Sequence, residues 1–432
     1  MLEVLSPALC SRTIGQLELI IEATLAMTGR VTIRGISRWT EKGGSERTIQ
    51  RFFKDQHDWG RLRWLLIKQH LGIQLTKSYI LAGDEVVVTK SGKQTHGLGR
   101  FFSSIQNRTV TGLCFISLSL IDVESRKAYP LLMDQLVRED VKRTAPKAAK
   151  KTSKRKAGRP KGSKNKSRTD VELSPFLIQL QNCISQALLL IGVDMQIAYF
   201  VYDGALGNNA AMQMVKQMGL FLISKMRHDS ELYLPYTGEY LGRGAPKKYG
   251  ERVTLDTLTD KYLCSETVDK NIKTCIYQLQ VWHKNFPALL NVVFIVKANL
   301  KTGKMAKVLL FCNDLNLAYD TLIDYYRLRF QIEFTFRDAK QYWGLEDFMN
   351  VKETQVNNAA NFSLFMVTFS QLLLPQIKGL EPKSMLDLKT VYRARKITRR
   401  IINSLGIKHE EFLIDDKIFQ AAELGRIHAE TA

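Results

Sequence analysis

The sequence predicts a mixed α/β protein with a strand-rich centre between helical ends. Three patterns carry that expectation. From Gly15 to about Leu71 the apolar residues recur at helical spacing between short loops. From Ser78 onward, β-branched apolar runs alternate with turn residues, as strands do. After LLFCND, ending at Asp314, helical patterns return and occupy roughly Thr354–Leu374 and Pro382–Leu405. At 432 residues the chain is long enough for two or three domains, because single hydrophobic cores rarely grow past ~250–300 residues.

Within the first helical stretch, VTIRGISRWTEKGGSERTIQRFF reads as a helix, a Gly-Gly break and a second helix opened by Ser45 as N-cap. This is the shape of a helix-turn-helix, whose second helix would offer Glu46, Arg47, Gln50 and Arg51 to a DNA major groove. A packing hairpin with no DNA contact has the same pattern, and both readings stand at this point.

YILAGDEVVVTK, TGLCFISLSLIDVE and KAYPLLM follow as three sequential strands able to pair by hairpins. Then comes Lys142–Arg168, with thirteen Lys or Arg and no acid. A block of this kind repels itself and cannot build a core, so it reads as a disordered insertion. Its centre, Lys156 to Gly162, resembles an AT-hook, with Arg159 as the residue that would enter a narrow A·T minor groove. A sequence-blind polybasic linker is the other reading. The tract accounts for thirteen of the formal net charge of +21 and leaves +8 on the other 405 residues. A balance this basic makes a polyanion the first partner to consider.

Several function classes are disfavoured. Six cysteines without a C-x-x-C pair indicate neither a zinc site nor a disulfide framework, which suits a reducing cytosol. The N-terminus has no charged n-region before an apolar run, and no stretch approaches 18 apolar residues. A cytoplasmic, non-membrane protein is expected.

Past the basic tract, SPFLIQLQNCISQALLLIG reads as a helix after Ser174-Pro175, and IAYFVYD as an apolar strand ending at Asp203, with a helix behind it. Strand-like runs fill Arg227 to about Asp314. The segment YYRLRFQIEFTFRDAK, Tyr325–Lys340, has no Pro or Gly and reads as part of one long helix. At 100° per residue, Tyr326, Arg329, Glu333 and Lys340 fall in one arc of about 60°, beside a stripe of Tyr325, Leu328, Ile332, Phe336, Ala339 and Trp343. Glu333 is thereby held against the core yet reachable by an anionic ligand.

A glutamate among cations is often no more than a solvated salt-bridge face. Two aspartates add to it. Asp84 lies within an apolar strand and Asp203 at the end of another, where a carboxylate is costly unless paired, hydrogen-bonded or metal-bound. Glu85 competes with Asp84, because adjacent strand residues face opposite ways, but Val86 and Val88 share the face of Asp84. Asp194 competes weakly with Asp203, preceding its strand where Asp203 ends it. None of the seven histidines sits beside these acids in sequence. Oxygen-only ligands suit Mg²⁺ or Mn²⁺, and two such ions roughly 3.5–4 Å apart can process a phosphodiester while Arg329 and Lys340 grip neighbouring phosphates.

The order Asp84, Asp203, Glu333 resembles the DDE triad of RNase H-like transposases. Tyr326-x₂-Arg329-x₃-Glu333-x₆-Lys340 is similar to the Y-(2)-R-(3)-E-(6)-K signature of the IS-four branch of bacterial insertion-sequence transposases. The resemblance covers about Ser78 to Leu374. It implies an α/β fold with an RNase H-like catalytic core, a β-rich insertion, a preceding N-terminal helical domain and following C-terminal helices. The expected boundaries are 1–75 for the helical DNA-binding domain, 76–225 for the first part of the core with the basic insertion at 142–169, 226–314 for the β-rich insertion, 315–375 for the second part of the core, and 376–432 for the C-terminal helices. The 130 residues between Asp203 and Glu333 agree with such an insertion. Trp282 or His283 would then stack on a displaced base.

The resemblance further implies Asp84, Asp203 and Glu333 as metal-binding catalytic acids for two Mg²⁺ or Mn²⁺ ions. Tyr326, Arg329 and Lys340 become contacts to phosphates near the element's 5′ end. The implied activity is cut-and-paste transposition by a homodimer on paired DNA ends, in a bacterial, nucleoid-associated protein. The alternatives are a DNA-binding protein derived from a transposase and an RNase H-like nuclease.

Overall fold

The computed structural model describes residues 1–40, 43–72, 77–103, 106–138, 167–240, 242, 244–377 and 384–405. Four helices come first, α1 (Ser11–Ala26), α2 (Ile33–Ser37), α3 (Glu46–Lys54) and α4 (Trp59–Leu71). Local side chains start three of them. Thr32 Oγ1 accepts from Gly35 N at 3.0 Å, Ser45 Oγ from Thr48 N at 3.3 Å, and Asp58 Oδ1 from Arg61 N at 3.0 Å, so each cap satisfies an otherwise orphaned N–H.

Strands β1 (Tyr79–Thr89), β2 (Gly99–Ser103), β3 (Arg108–Asp122) and β4 (Lys127–Leu136) follow. The chain continues through α5 (Pro175–Ile191), β5 (Tyr199–Val201), α6 (Asn209–Gln217) and β6 (Phe221–Met226). Six more strands come next: β7 (Leu232–Pro235), β8 (Tyr249–Arg252), β9 (Leu263–Asp269), β10 (Ile272–His283), β11 (Leu290–Asn299) and β12 (Met305–Cys312). The last helices are α7 (Tyr319–Leu328), α8 (Gln331–Tyr342), α9 (Glu353–Leu373) and α10 (Met385–Ser404).

These elements form two compact units, the first made of residues 1–135, 182–197 and 327–432, the second of 136–181 and 198–326. In the first unit β1 and β3 are antiparallel, with Tyr79 opposite Asp122 and Thr89 opposite Gly112. Both β2 and β4 pair with β3. From Gly112 onward every residue of β3 is buried, as in a strand covered on both faces.

Helix α9 is buried nearly all round, and its hydroxyls turn back on their own helix: Ser363 and Ser370 donate to the carbonyls of Ala359 and Met366 at 3.0 and 2.6 Å. The N-terminal helices clasp α9 through polar side chains. Trp59 Nε1 donates to Asn358 Oδ1 at 2.8 Å, while Asn358 Nδ2 donates to Phe53 O and Asp55 O at 2.8 and 2.7 Å. Arg63 of α4 is fully buried and donates to Leu131 O (3.0 Å), Asn361 O (3.0 Å) and Asn361 Oδ1 (2.8 Å). Burial pulls its pKa down to about 9, and the three acceptors offset part of the cost of desolvating the charge. Helix α10, opened by a Ser384–Asp387 capping box, docks on α1 as Lys389 Nζ donates to Thr24 O at 2.7 Å.

In the second unit β5 and β6 run parallel, Tyr199 opposite Phe221. β12 adds antiparallel to β6, and β11 and β10 follow, so the strand-like runs read between Arg227 and Asp314 continue the sheet that β6 begins. Tyr199 donates its hydroxyl to Asp314 Oδ2 at 2.7 Å, and burial raises its pKa. Residues 142–166 of the basic tract, Arg159 among them, lie outside the described residues. Its last residue differs from a loose tail: the Arg168 guanidinium donates to Tyr249 Oη at 2.9 Å and its carbonyl accepts from Asn209 Nδ2 at 2.7 Å. Among the described residues no helix is long and apolar enough to cross a membrane.

Candidate active site

Asp84 sits in mid-strand on β1, opposite Ser117 of β3. Alternation places it on the face of the buried Val86 and Val88, with Glu85 on the other and exposed. One Asp84 oxygen accepts from Glu85 N at 2.9 Å, and the other accepts from Arg329 Nη1. Of the two acids left open by the sequence, Asp84 is the one that meets the signature arginine. Its side chain is 18% exposed and that of Arg329 13%, so the pair is largely withdrawn from water.

The segment expected to be one helix is two. α7 ends at Leu328 and α8 begins at Gln331, and the join is tight: Phe330 N bonds Arg327 O, Ile332 N bonds Arg329 O and Glu333 N bonds Phe330 O, each at 3.0 Å with a reach of three residues. The core stripe survives the break, because Leu328, Ile332, Phe336, Ala339 and Trp343 are all buried. Arg329 therefore lies in the turn and not on a continuous helix face.

From that turn its Nη2 reaches Glu333 Oε1 at 3.4 Å, so one guanidinium joins Asp84 and Glu333. Glu333 stands in the first turn of α8, where the helix dipole favours a negative charge, and its side chain is 44% exposed. At the other end of α8, Lys340 Nζ donates to Val87 O at 2.9 Å and pairs with Glu346 at 3.0 Å. Asp84, Arg329 and Glu333 are thus brought together, while Lys340, seven residues beyond Glu333, ties the other end of α8 to β1. Lys340, expected among the phosphate contacts, spends two of its three N–H donors inside the protein.

Sequence reasoning missed the support behind this arrangement. Lys90, just past β1, donates to Glu346 O and Phe348 O at 3.1 and 2.8 Å and lies 3.4 Å from the Phe348 ring centroid. Burial lowers its pKa to about 8. Asp347 accepts from Val31 N at 2.9 Å, and Gly344, with φ of 78°, leaves room for Val31 where a Cβ would come within 2.4 Å. Lys90 lies beyond the apolar run of its strand, where no local pattern marks it.

In the second unit Asp203 follows β5 and caps a short 3₁₀ turn, Gly204–Leu206, with Oδ1 accepting from Ala205 N at 2.9 Å. Its carbonyl accepts from Ser224 Oγ at 2.5 Å. It stands past the carboxyl end of a parallel strand, where ligands of open α/β sheets gather. Tyr326 lies in the last turn of α7 and is counted with this unit. Trp282 packs edge-on to Tyr249 with Lys248 Nζ 5.4 Å from its ring, and burial lowers the pKa of His283. Asp194, in the first unit, is taken up by Lys68 at 2.6 Å. Arg47 and Arg51 are exposed on α3.

Among the described residues no three His, Cys, Asp or Glu side chains form a metal-holding group. Asp84 and Glu333 nonetheless fit a hard divalent cation by donor chemistry: both are carboxylates, and both already lie within reach of one shared positive charge.

A mixed α/β fold is consistent with a nuclease, and the family to which the chain belongs makes it a nuclease-type enzyme. The chain belongs to the DDE superfamily endonuclease family, whose sequence profile matches residues 5–284. The matched stretch includes Asp84 and Asp203 and stops short of Glu333. No curated protein matches the chain.

Proposed function

We propose that the protein is a cut-and-paste DNA transposase of the IS-four branch. The observation that carries this reading is the meeting of Asp84 with the signature residues Arg329 and Glu333, since a strand aspartate and a helix glutamate 249 positions apart share one guanidinium. Asp203, at its strand end, is the third acid of the reading. Mg²⁺ or Mn²⁺, when bound by these carboxylates, would activate the attacking oxygen and neutralise charge on the leaving one.

The protein's own side chains do the rest. Arg329 presents a planar fork that grips a phosphate in two places, fixing the scissile bond for in-line attack. Lys340 holds α8 to β1, so that Glu333 stays beside Asp84 when DNA arrives. Hydrolysis at the element end breaks the P–O3′ bond to flanking DNA and frees a 3′-hydroxyl. In strand transfer that hydroxyl attacks a target phosphodiester, forming one P–O bond as another breaks. Two ends must react together, which favours a homodimer. The exposed Arg47 and Arg51, with Arg159 of the basic tract, are the further DNA contacts of this reading.

The test is cleavage of a labelled DNA fragment spanning one end of the gene's own locus, with Mg²⁺, by the native protein and by Glu333→Gln. Nicking at a discrete terminus by the native protein alone supports the transposase. Binding without cutting points to a DNA-binding derivative, and cutting at many sites to a nuclease. Equal cutting by both proteins removes Glu333 from the centre.

A further inference from the structure

We propose that Arg329 is a stand-in cation: it holds Asp84 and Glu333 together before metal binds, and metal displaces it toward a DNA phosphate. This deepens the transposase reading and rests on it. Two carboxylates brought close repel one another unless a positive charge is shared between them. Arg329 supplies that charge, with Nη1 on Asp84 Oδ2 and Nη2 3.4 Å from Glu333 Oε1.

A small divalent cation needs carboxylate oxygens at roughly 2.0–2.1 Å in near-octahedral order. A guanidinium hydrogen-bonded to one oxygen of each carboxylate takes a lone pair there and sets a positive charge beside the site, so metal and arginine compete for the two acids.

Three features give the arginine somewhere to go without collapse of the site. Arg329 lies in the turn between α7 and α8, outside both regular helices. Helix α8 keeps its place without it, through Lys340 on Val87 O and the buried Ile332, Phe336 and Ala339. The fork released from two carboxylate oxygens matches two phosphate oxygens equally well. Metal binding should therefore strengthen DNA binding, and DNA should strengthen metal binding by the same factor.

The experiment titrates Mn²⁺ alone into the purified full-length protein by calorimetry, then repeats it with a duplex spanning the locus end. Native protein, Arg329→Ala, Arg329→Lys and Glu333→Gln are compared. Without DNA, Arg329→Ala should bind Mn²⁺ about tenfold tighter than native, a typical size for a coupling between sites. Its metal-free melting temperature should fall and recover with Mn²⁺. Adding duplex should tighten Mn²⁺ binding by the native protein and leave that of Arg329→Ala unchanged. Arg329→Lys, which keeps the charge but cannot span both acids, should lie between and serves if the alanine variant does not fold. Weaker or equal Mn²⁺ binding by the arginine variants, with Glu333→Gln weakest, would overturn the stand-in role while leaving the metal site intact. Absence of Mn²⁺ binding in every protein, with or without duplex, would overturn the metal-dependent reading along with it.

Discussion

Asp84 and Asp203 are both aspartates carried by apolar strands, yet they are held by different means. Asp84 lies in the middle of an eleven-residue strand and is met by an arginine 245 residues away in sequence. Asp203 stands just past a three-residue strand and is held by the turn it caps, through a bond to Ala205 N two residues on. Long-range assembly orients the first acid; local backbone orients the second. Disturbing tertiary contacts should therefore move Asp84, and disturbing one turn should move Asp203.

The largest effects separate the two acids by stability and not by activity. Asp84→Ala and Asp203→Ala should each cut DNA cleavage by on the order of 10³, the scale of losing a group that stabilises transition-state charge. Asp84→Ala also removes the carboxylate that the mostly buried Arg329 meets, and should cost about 2 kcal/mol in urea unfolding. Asp203→Ala loses only a cap, about 1 kcal/mol. Equal stability losses would erase the contrast.

Gly207→Ala keeps all three acids but sets a Cβ 2.4 Å from Lys225 O, beneath the turn that Asp203 caps. It should lower stability by about 2 kcal/mol through overpacking and reduce cleavage, while the arginine-dependent change in Mn²⁺ binding persists. Lys340→Met removes the tie to Val87 O and the Glu346 pair and should cost about 1 kcal/mol by thermal or urea unfolding. A loss of DNA affinity with unchanged stability would instead make this lysine a phosphate contact.

The smallest effect is one of pH. Lys90 has its pKa lowered by burial to about 8 from an ordinary value of 10.5. Between these values the unfolded chain binds the extra proton, so the native state gains stability as pH rises through that window. Below about pH 8 the charged lysine imposes its full burial cost. Lys90→Met should flatten the rise between pH 8 and 10, measured as unfolding midpoints against pH; an unchanged slope would mean that the ammonium is not desolvated there.

Much of the fold was legible because its signals are local. β1, β3 and α5 lie where apolar runs and the Ser174-Pro175 start place them, and Ser45 caps α3 as its side chain predicts. β2 escaped because GRFFS is too short to show a period. The break at Arg329 escaped for a sharper reason. A tight turn of three-residue reach leaves Leu328 and Ile332 buried on one stripe, so hydrophobic periodicity reads straight through it. The approach of Arg329 to Asp84 follows from packing between distant segments, which no window of sequence records. Spacing alone aligned Arg329, Glu333 and Lys340 on one arc, but not the different partners each one takes.

Arg63 has a consequence for the order in which the chain is made. Its acceptors are Leu131 and Asn361, the second 298 residues further along. Trp59 likewise needs Asn358. During synthesis the first four helices emerge long before α9 exists, so a buried guanidinium and an indole N–H must wait in water for partners near the end of the chain. Contacts of such separation form late and slowly. The first unit is then completed only when α9 has left the ribosome, and a chain cut short before residue 361 would leave this core open.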